Sequence, residues 1–216
     1  MSPIIRYPLR SIVAAAAMAT LMTTHTASAQ TIIDEWASVK VPPAPVLKSV
    51  TADSKTTALL MLDFNEQTCN EQRRPRCIAS LPRVAKMLAA ARAAGVPVIY
   101  SLGGGGKVTD IHKEVAPIGG EPVVSSSVDK FRGTDLEEIL KSKGIKTVVV
   151  AGAAAHGAIL YTASGAAMRG MKVLVPVDAI SADLAYAEQY TVWQLANAPL
   201  VGSAVTLTSV DALKFQ

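Results

Sequence analysis

An acidic side chain closes the first long apolar run after the N-terminal region. Residues 57–63 read TALLMLD, a pattern typical of a strand that is buried on both faces and ends in Asp63. Burial disfavours the charged form of a carboxyl group, which raises its pKa and suits it to proton transfer. The pattern equally allows a structural aspartate that accepts hydrogen bonds from loop amides. Asp63 is therefore the first candidate catalytic residue.

Other polar side chains stand where they could reach the same site. Asn65 and Gln67 follow Asp63 closely enough to orient its carboxyl group. His156 follows a later apolar run and could hydrogen-bond to a substrate, or it could begin a helix that faces solvent or a neighbouring subunit. Lys130 could anchor a substrate anion, or it could be a solvated residue before a helix.

The two cysteines, Cys69 and Cys77, lie close together in the chain. In an exported protein such a pair suggests a disulfide that closes a local loop. The alternative is two free thiols, in which case Cys69 could supply a thiolate nucleophile near Asp63. The pair offers too few ligands for a metal site, and we expect neither a metal nor a cofactor.

Charge is modest and dispersed, with a net charge of +4 over the 216 residues. We interpret the basic cluster of Arg73, Arg74 and Arg76 as part of a solvated loop. Aromatic residues make up only 5% of the chain and no basic run interleaves with them, so nucleic-acid binding is not expected.

Residues 1–29 have the pattern of a secretory signal peptide. Arg6 and Arg10 precede an apolar run at 11–22, and the run ends before a small-x-small cleavage pattern at 27–29. The apolar run is too short to span a bilayer, although a retained anchor is the alternative. We expect cleavage after Ala29, a periplasmic or secreted location, and no membrane association afterwards.

The remaining chain alternates between strand and helix patterns. A Pro-rich segment at 30–55 is predicted to be extended, and a single domain is predicted at 56–216. Within that domain the patterns predict strands at 57–63, 96–101, 122–125, 146–151, 172–176 and 204–207, with helices at 81–94, 134–143, 155–169 and 185–196. Thr134 and Glu137 are expected to form a capping box. This alternation predicts right-handed crossovers and a parallel sheet that is covered on both faces, with ligands bound at the carboxyl ends of its strands.

Three blocks, in this order and spacing, resemble the isochorismatase-like hydrolase superfamily. They are residues 59–64 (LLMLDF), residues 131–136 (FRGTDL), and residues 147–152 (TVVVAG) with the segment that follows to 179. The resemblance covers residues 57–204 approximately. It implies a single-domain, three-layer Rossmann-like α/β fold whose six parallel strands have the order 3-2-1-4-5-6, and a homo-oligomer.

The resemblance also assigns catalytic positions, two of which depart from the pattern. The cysteine-hydrolase branch uses an aspartate, a lysine and a cysteine; the aspartate matches Asp63, but the cysteine position falls on Ala158 and the lysine position on Ser125. Lys130 is the lysine nearby. An alanine methyl cannot attack a carbonyl, so thioester chemistry cannot operate at Ala158. Isochorismatases proper also lack the cysteine and use the aspartate as a proton donor.

By the same resemblance, a non-proline cis peptide is expected near residues 154–155. It would present backbone amides, among them those of Gly157 and Ala158, to a substrate carboxylate or a developing oxyanion.

The leading hypothesis is a hydrolase that acts on a small, carboxylate-bearing molecule without a cysteine nucleophile. Its catalytic residues would be Asp63 and Lys130, and its substrate contacts would be Asn65, His156, Gly157 and Ala158. The alternatives are a hydrolase that uses Cys69, and a non-catalytic protein of the same fold that binds a small molecule or serves as a scaffold.

Overall fold

The computed structural model describes residues 30–103 and 105–216. The predicted signal peptide and its cleavage site lie outside the described residues. The chain divides into two units, residues 1–41 and 42–216. The described part of the first unit contains helix α1 (Ile32–Glu35), which begins where the Thr31 amide donates to Asp34 Oδ2 at 2.8 Å. The prediction that segment 30–55 is extended is therefore only partly correct. The segment contains this helix as well as a strand, β1 (Val50–Ala52).

The second unit alternates strands and helices, as the sequence predicts. After β1, its strands are β2 (Thr57–Leu62), β3 (Val98–Leu102), β4 (Val123–Ser125), β5 (Thr147–Ala153), β6 (Lys172–Pro176), β7 (Ile180–Ser181), β8 (Val205–Thr208) and β9 (Leu213–Phe215). Its helices are α2 (Pro75–Ala93), α3 (Leu136–Ser142), α4 (Leu160–Met168), α5 (Ala185–Asn197) and α6 (Val201–Ala204).

The main sheet has the strand order β4-β3-β2-β5-β6-β8, and all these neighbours are parallel. In terms of the six predicted strands this is the order 3-2-1-4-5-6, which confirms the prediction. Two features were not predicted. Strand β7 pairs with the end of β5, and β1 forms a separate parallel pair with β9.

Strand β2 lies in the middle of the sheet and separates two cores. All six of its residues are buried. Leu60 and Leu62 face one core, which α3, α4 and α5 cover, whereas Leu59 and Met61 face the other, which α2 covers. This alternation follows from the two-residue period of a strand, and it explains why only apolar residues stand between Thr57 and Asp63.

Helix α2 begins at Pro75, earlier than the predicted start at residue 81. Proline is favoured in the first turn of a helix, where its missing amide hydrogen would be unpaired anyway. The predicted helix at 155–169 is also modified, since its first five residues, Ala155–Ile159, form a π-helical turn before α4.

The predicted capping box of α3 is wrong. Thr134 Oγ1 does accept the Leu136 amide at 3.3 Å, but it donates to the carbonyl oxygen of Lys130. The Glu137 carboxylate does not reach back to the helix start, because it pairs with Lys141. Thr134 therefore fixes the segment that carries Lys130.

Over residues 30–103 and 105–216, no helix is both long and apolar enough to cross a membrane.

Candidate functional site

Asp63 lies at the carboxyl end of β2, in the centre of the sheet. The strand register places the preceding residue, Leu62, beside Ser101 of β3 and Gly152 of β5. Asp63 has a φ of +56°, a left-handed conformation that costs a non-glycine residue energy. Such strain persists where surrounding contacts fix the backbone. The contacts around Asp63 hold its side chain at the edge of the sheet where the parallel strands end.

Gly152 allows β5 to approach this position. A Cβ at Gly152 would overlap the carbonyl oxygen of Leu62, and its φ of +143° is one that other residues rarely adopt. Only glycine therefore permits the end of β5, and the turn that follows it, to lie against the end of β2.

Lys130 forms an ion pair with Asp63. Its Nζ lies 2.8 Å from Asp63 Oδ2, and it also donates to the carbonyl oxygens of Ser126 at 3.0 Å and Ser127 at 2.6 Å. The Lys130 side chain is 0% exposed and that of Asp63 is 7% exposed. The interpretation of Lys130 as a solvated residue is wrong, and the structure brings this lysine together with the aspartate despite its shifted position in the sequence.

The other carboxylate oxygen is held by a serine. Ser101 Oγ donates to Asp63 Oδ1 at 2.6 Å, and the Asp63 amide donates to the Ser101 carbonyl oxygen at 3.2 Å. Gly103 covers the carboxylate from the loop after β3, since a Cβ there would come within 2.9 Å of Asp63 Oδ2. Ser101 and Gly103 thus contact the Asp63 carboxylate, although neither was among the predicted site residues. Ser101 lies near the end of β3, and Gly103 directly follows that strand.

Burial raises the pKa of the Asp63 carboxyl group above its ordinary value. The Lys130 ammonium group opposes this effect most strongly, followed by the Ser101 hydrogen bond and the positive charge of Arg74. The group is thus a carboxyl group in a largely dehydrated site whose charged form is stabilised by a fixed cation. This arrangement suits proton donation followed by proton recovery.

A turn with a cis peptide bond follows β5. The cis bond joins Ala153 and Ala154, one residue before the expected place. Ala158 is 4% exposed in the π-helical turn that comes next, whereas His156 is exposed. The Gly157 amide donates to the carbonyl oxygen of Ala154 at 3.0 Å. Because that amide is already paired, the prediction that Gly157 contacts substrate is not supported by this geometry, and the amides of His156 and Ala158 are the candidates that are left.

The segment containing Lys130 connects the aspartate to this turn. The Lys130 amide donates to Thr162 Oγ1 of α4 at 3.1 Å, while its side chain reaches Asp63. Val128, two residues before it, has a side-chain carbon 3.8 Å from the position that a Cβ would occupy on Gly157. The ends of β2, β4 and β5 therefore meet at one place.

Asn65 does not orient the aspartate, contrary to our expectation. Its Nδ2 donates to Gln67 Oε1 at 2.5 Å, and Gln67 Nε2 donates to Asp110 Oδ2 at 2.7 Å. Asn65 is fully buried and fixes the loop after β2. The hydrogen bonds to the Asp63 carboxylate come from Ser101 and Lys130 instead.

Cys69 and Cys77 form a disulfide bond, with their Cα atoms 5.4 Å apart. Neither sulfur can act as a thiolate in this form, so the structure does not favour the alternative of a Cys69 nucleophile. The disulfide closes the loop between β2 and α2 and joins it to the first turn of α2.

The interpretation of the basic cluster as a solvated loop is wrong for one residue. Arg73 and Arg76 are exposed, and Arg76 pairs with Glu188. Arg74 is only 5% exposed. No sequence pattern distinguishes it from its two neighbours, because the distinction arises from the path of the disulfide-closed loop.

Concave surfaces elsewhere are lined by other residues. One of about 720 Å³ lies between the segment that begins at Pro42 and helix α5, and one of about 590 Å³ lies between β4 and the start of α3. Neither is lined by Asp63, Lys130 or Ala158. Within the described residues, no cluster of three or more His, Cys, Asp or Glu side chains could hold a metal ion.

The isochorismatase domain model matches residues 57–209. The chain is 30% identical over 152 residues to the secreted isochorismatase effector Isc1 of Verticillium dahliae, a match that covers 65% of this chain and 77% of that protein. It is 27% identical over 145 residues to an N-carbamoylsarcosine amidase of an Arthrobacter species, covering 54% of this chain and 55% of the amidase. The chain thus spans about half the length of the amidase.

Solved structures share the fold. An isochorismatase from Pseudomonas putida aligns with a TM-score of 0.66 and 19% identity, covering 76% of this chain and 93% of that one. An N-carbamoylsarcosine amidase from Thermoplasma acidophilum aligns with a TM-score of 0.62 and 22% identity, covering 72% of this chain and 97% of that one.

Proposed function

The chain belongs to the isochorismatase family, and from this premise we propose that it is a hydrolase whose chemistry depends on Asp63 rather than on a cysteine. Its substrate is a small molecule that carries a carboxylate group. The observation that carries the proposal is the geometry of Asp63, a buried carboxyl group whose two oxygens are held by Ser101 and Lys130.

In the proposed reaction Asp63 acts first as an acid and then as a base. The protonated carboxyl group donates its proton to the substrate, and the resulting carboxylate is stabilised by the Lys130 ammonium group at 2.8 Å. Water adds to the activated substrate and returns one proton to Asp63, so the enzyme is restored. The adduct then breaks the bond between the attacked carbon and the leaving group, which departs with the hydroxyl proton of the adduct. Backbone amides of His156 and Ala158 donate hydrogen bonds to oxygen atoms of the substrate, and the His156 side chain contacts the substrate from the exposed side of the turn.

Ala158 supports a mechanism without a nucleophilic thiol. It stands at the position that the resemblance assigns to a cysteine, and both cysteines of the chain are used in the disulfide. A small side chain at this position also leaves room for a substrate to approach the backbone of the turn.

The test uses isochorismate and N-carbamoylsarcosine, two carboxylate-bearing molecules suggested by the names of the relatives. Turnover by the wild-type protein should be lost in Asp63→Asn, while circular dichroism shows an intact fold. Asp211→Asn is the matched control, because the Asp211 side chain is 77% exposed and Asp211 is far from Asp63 in the sequence. If Asp63→Asn turns over either compound at the wild-type rate, the mechanism is wrong; binding without turnover by the wild type would instead favour a non-catalytic binding protein.

We also propose that the protein is exported to an oxidising compartment, periplasmic or extracellular, and acts there as a homo-oligomer. The disulfide and the similarity to a secreted effector support export. N-terminal sequencing of the mature protein should find Gln30 first, and light scattering should give a mass above that of one chain. A retained N-terminus or a monomeric mass would contradict the respective proposal.

A further inference from the structure

Three buried polar atoms lack a hydrogen-bond partner within the described residues: Asn65 Oδ1, Arg74 Nε and Ser181 Oγ. Buried polar groups are nearly always paired, so each exception needs an explanation. All three lie at the carboxyl end of the main sheet. Asn65 follows β2, Arg74 ends the loop between β2 and α2, and Ser181 lies in β7, where it is the register partner of Ala153 at the cis peptide.

Arg74 is held firmly although part of its guanidinium group has no partner. Its Nη1 donates to the Thr68 carbonyl oxygen at 2.8 Å, and its backbone amide donates to the Asn70 carbonyl oxygen at 2.8 Å. The Thr68 amide in turn donates to the Asn65 carbonyl oxygen at 2.9 Å, which ties the loop to the end of β2. The side chain is thus fixed beside the site, with its Nε edge unpaired.

The positive charge of Arg74 is not matched by a direct ion pair. Among the described residues, no carboxylate oxygen lies within 4.0 Å of its guanidinium nitrogens. Burial lowers the pKa of Arg74, and Arg73 adds to this effect, whereas the carboxylates of Asp183 and Asp63 oppose it. A guanidinium group nevertheless stays charged at neutral pH. A buried charge without a partner is unfavourable, and an anionic ligand would offset that penalty.

We propose that Arg74 binds the carboxylate group of the substrate through its Nε edge, with the Ser181 hydroxyl group as a second donor. This inference rests on the proposed function and adds to it the residue that selects for a carboxylate. Arginine suits the task because two parallel N–H groups on one edge match the two oxygens of a carboxylate. Lys130 cannot take the role, since its ammonium group is already used by Asp63 and two carbonyl oxygens.

The position of Arg74 also fits the proposed proton transfer. Asp63 lies close enough for its charge and that of Arg74 to influence one another. Ser181 is the register partner of Ala153, the residue that begins the cis peptide, so this donor lies at the turn. Anchoring the carboxylate there would present an adjacent part of the substrate to Asp63.

The test measures binding directly, so that it does not depend on turnover. The probes are pyruvate and benzoate, with their uncharged amides pyruvamide and benzamide as matched controls, titrated calorimetrically into the disulfide-bonded protein. Arg74→Gln should weaken carboxylate binding about 10- to 100-fold, the range for losing a charge-assisted hydrogen bond. Ser181→Ala should weaken it about 2- to 10-fold. Arg73→Gln removes the same charge from an exposed neighbour and should leave binding unchanged.

Several outcomes would overturn the role of Arg74. The first is that the wild-type protein binds neither carboxylate. The second is that it binds the acids and their amides with equal affinity, and the third is that Arg74→Gln and Arg73→Gln lose the same amount of carboxylate affinity. A purely structural role predicts a lower Tm for Arg74→Gln without ligand, whereas removal of an unmatched buried cation predicts a Tm that is unchanged or higher. Asp63→Asn separates the two proposals, because it should still bind the carboxylates even though it cannot turn over a substrate.

Discussion

The ion pair between Lys130 and Asp63 makes a quantitative prediction for Lys130→Met, which keeps most of the length of the side chain and removes its charge. Two unit charges 2.8 Å apart attract each other by about 6 kcal/mol at an effective dielectric constant near 20. Much of this is offset by desolvation, and removal of one partner from a buried pair destabilises a protein by about 3–5 kcal/mol. For a domain of this size we expect Tm to fall by roughly 10 °C at pH 7.

The loss of stability should depend on pH in a defined direction. Without Lys130, the pKa of Asp63 in the folded protein rises further above its value in the unfolded chain, because the largest opposing effect is gone. The folded state then binds the proton more tightly, so the stability of the variant is retained at low pH and lost as pH rises through the folded pKa. Near pH 4 the fall in Tm should shrink to a few degrees.

Differential scanning calorimetry from pH 4 to pH 8 measures this dependence. Lys141→Met is the control, since Lys141 pairs with Glu137 at the surface with side chains 69% and 30% exposed. An exposed pair contributes little, so its Tm should change by no more than about 2 °C. Equal destabilisation of Lys130→Met at both ends of the pH range would refute the buried ion pair.

Three further predictions concern the loops and the pH profile. The double variant Cys69→Ala/Cys77→Ala should lose about 2–3 kcal/mol of unfolding free energy in urea, since the disulfide joins residues separated by 8 positions; no change in midpoint would contradict this. Gly103→Ala should lower kcat/KM at least about tenfold, because the added Cβ would displace an Asp63 oxygen. Gly119→Ala is the control, since a Cβ there meets open space and should leave kcat/KM unchanged. Equal effects of the two substitutions would argue against the close contact between Gly103 and Asp63. With Asp63 as the acid, kcat/KM should fall as pH rises above its raised pKa, and a profile that rises from pH 4 to pH 8 would be incompatible with that role.

The central sheet could be predicted from the sequence because its strands are continuous apolar runs separated by helical patterns. The strand order followed from the resemblance, and the structure confirms it. Strand β1 and its partner β9 were missed, because three-residue strands carry too little pattern to be recognised. The end of β2 was predicted correctly, since a carboxylate after a fully buried run marks the place where the chain leaves the core.

The site was harder to predict because its residues meet through turns rather than through a regular period. Lys130 lies five positions from where the lysine of the family was expected, and it reaches Asp63 because the chain after Ser125 turns back on itself. Ser126 and Ser127 supply the carbonyl oxygens that receive the ammonium group. The burial of Arg74 was missed for a related reason. The order of residues in the sequence does not show which of three neighbouring arginines is buried once the disulfide closes the loop.

The small sheet formed by β1 and β9 has a practical consequence for handling the protein. Gln216 donates its amide to the Ala52 carbonyl oxygen at 3.0 Å, and its carbonyl oxygen accepts the Ser54 amide at 2.7 Å, so the backbone pairing of this sheet extends to Gln216. Proteolytic trimming of residues 213–216 would leave the β1 backbone groups without partners and loosen the entry into β2. A fusion or sequence change that displaces residues 213–216 should therefore also disturb the strand that leads to β2 and Asp63.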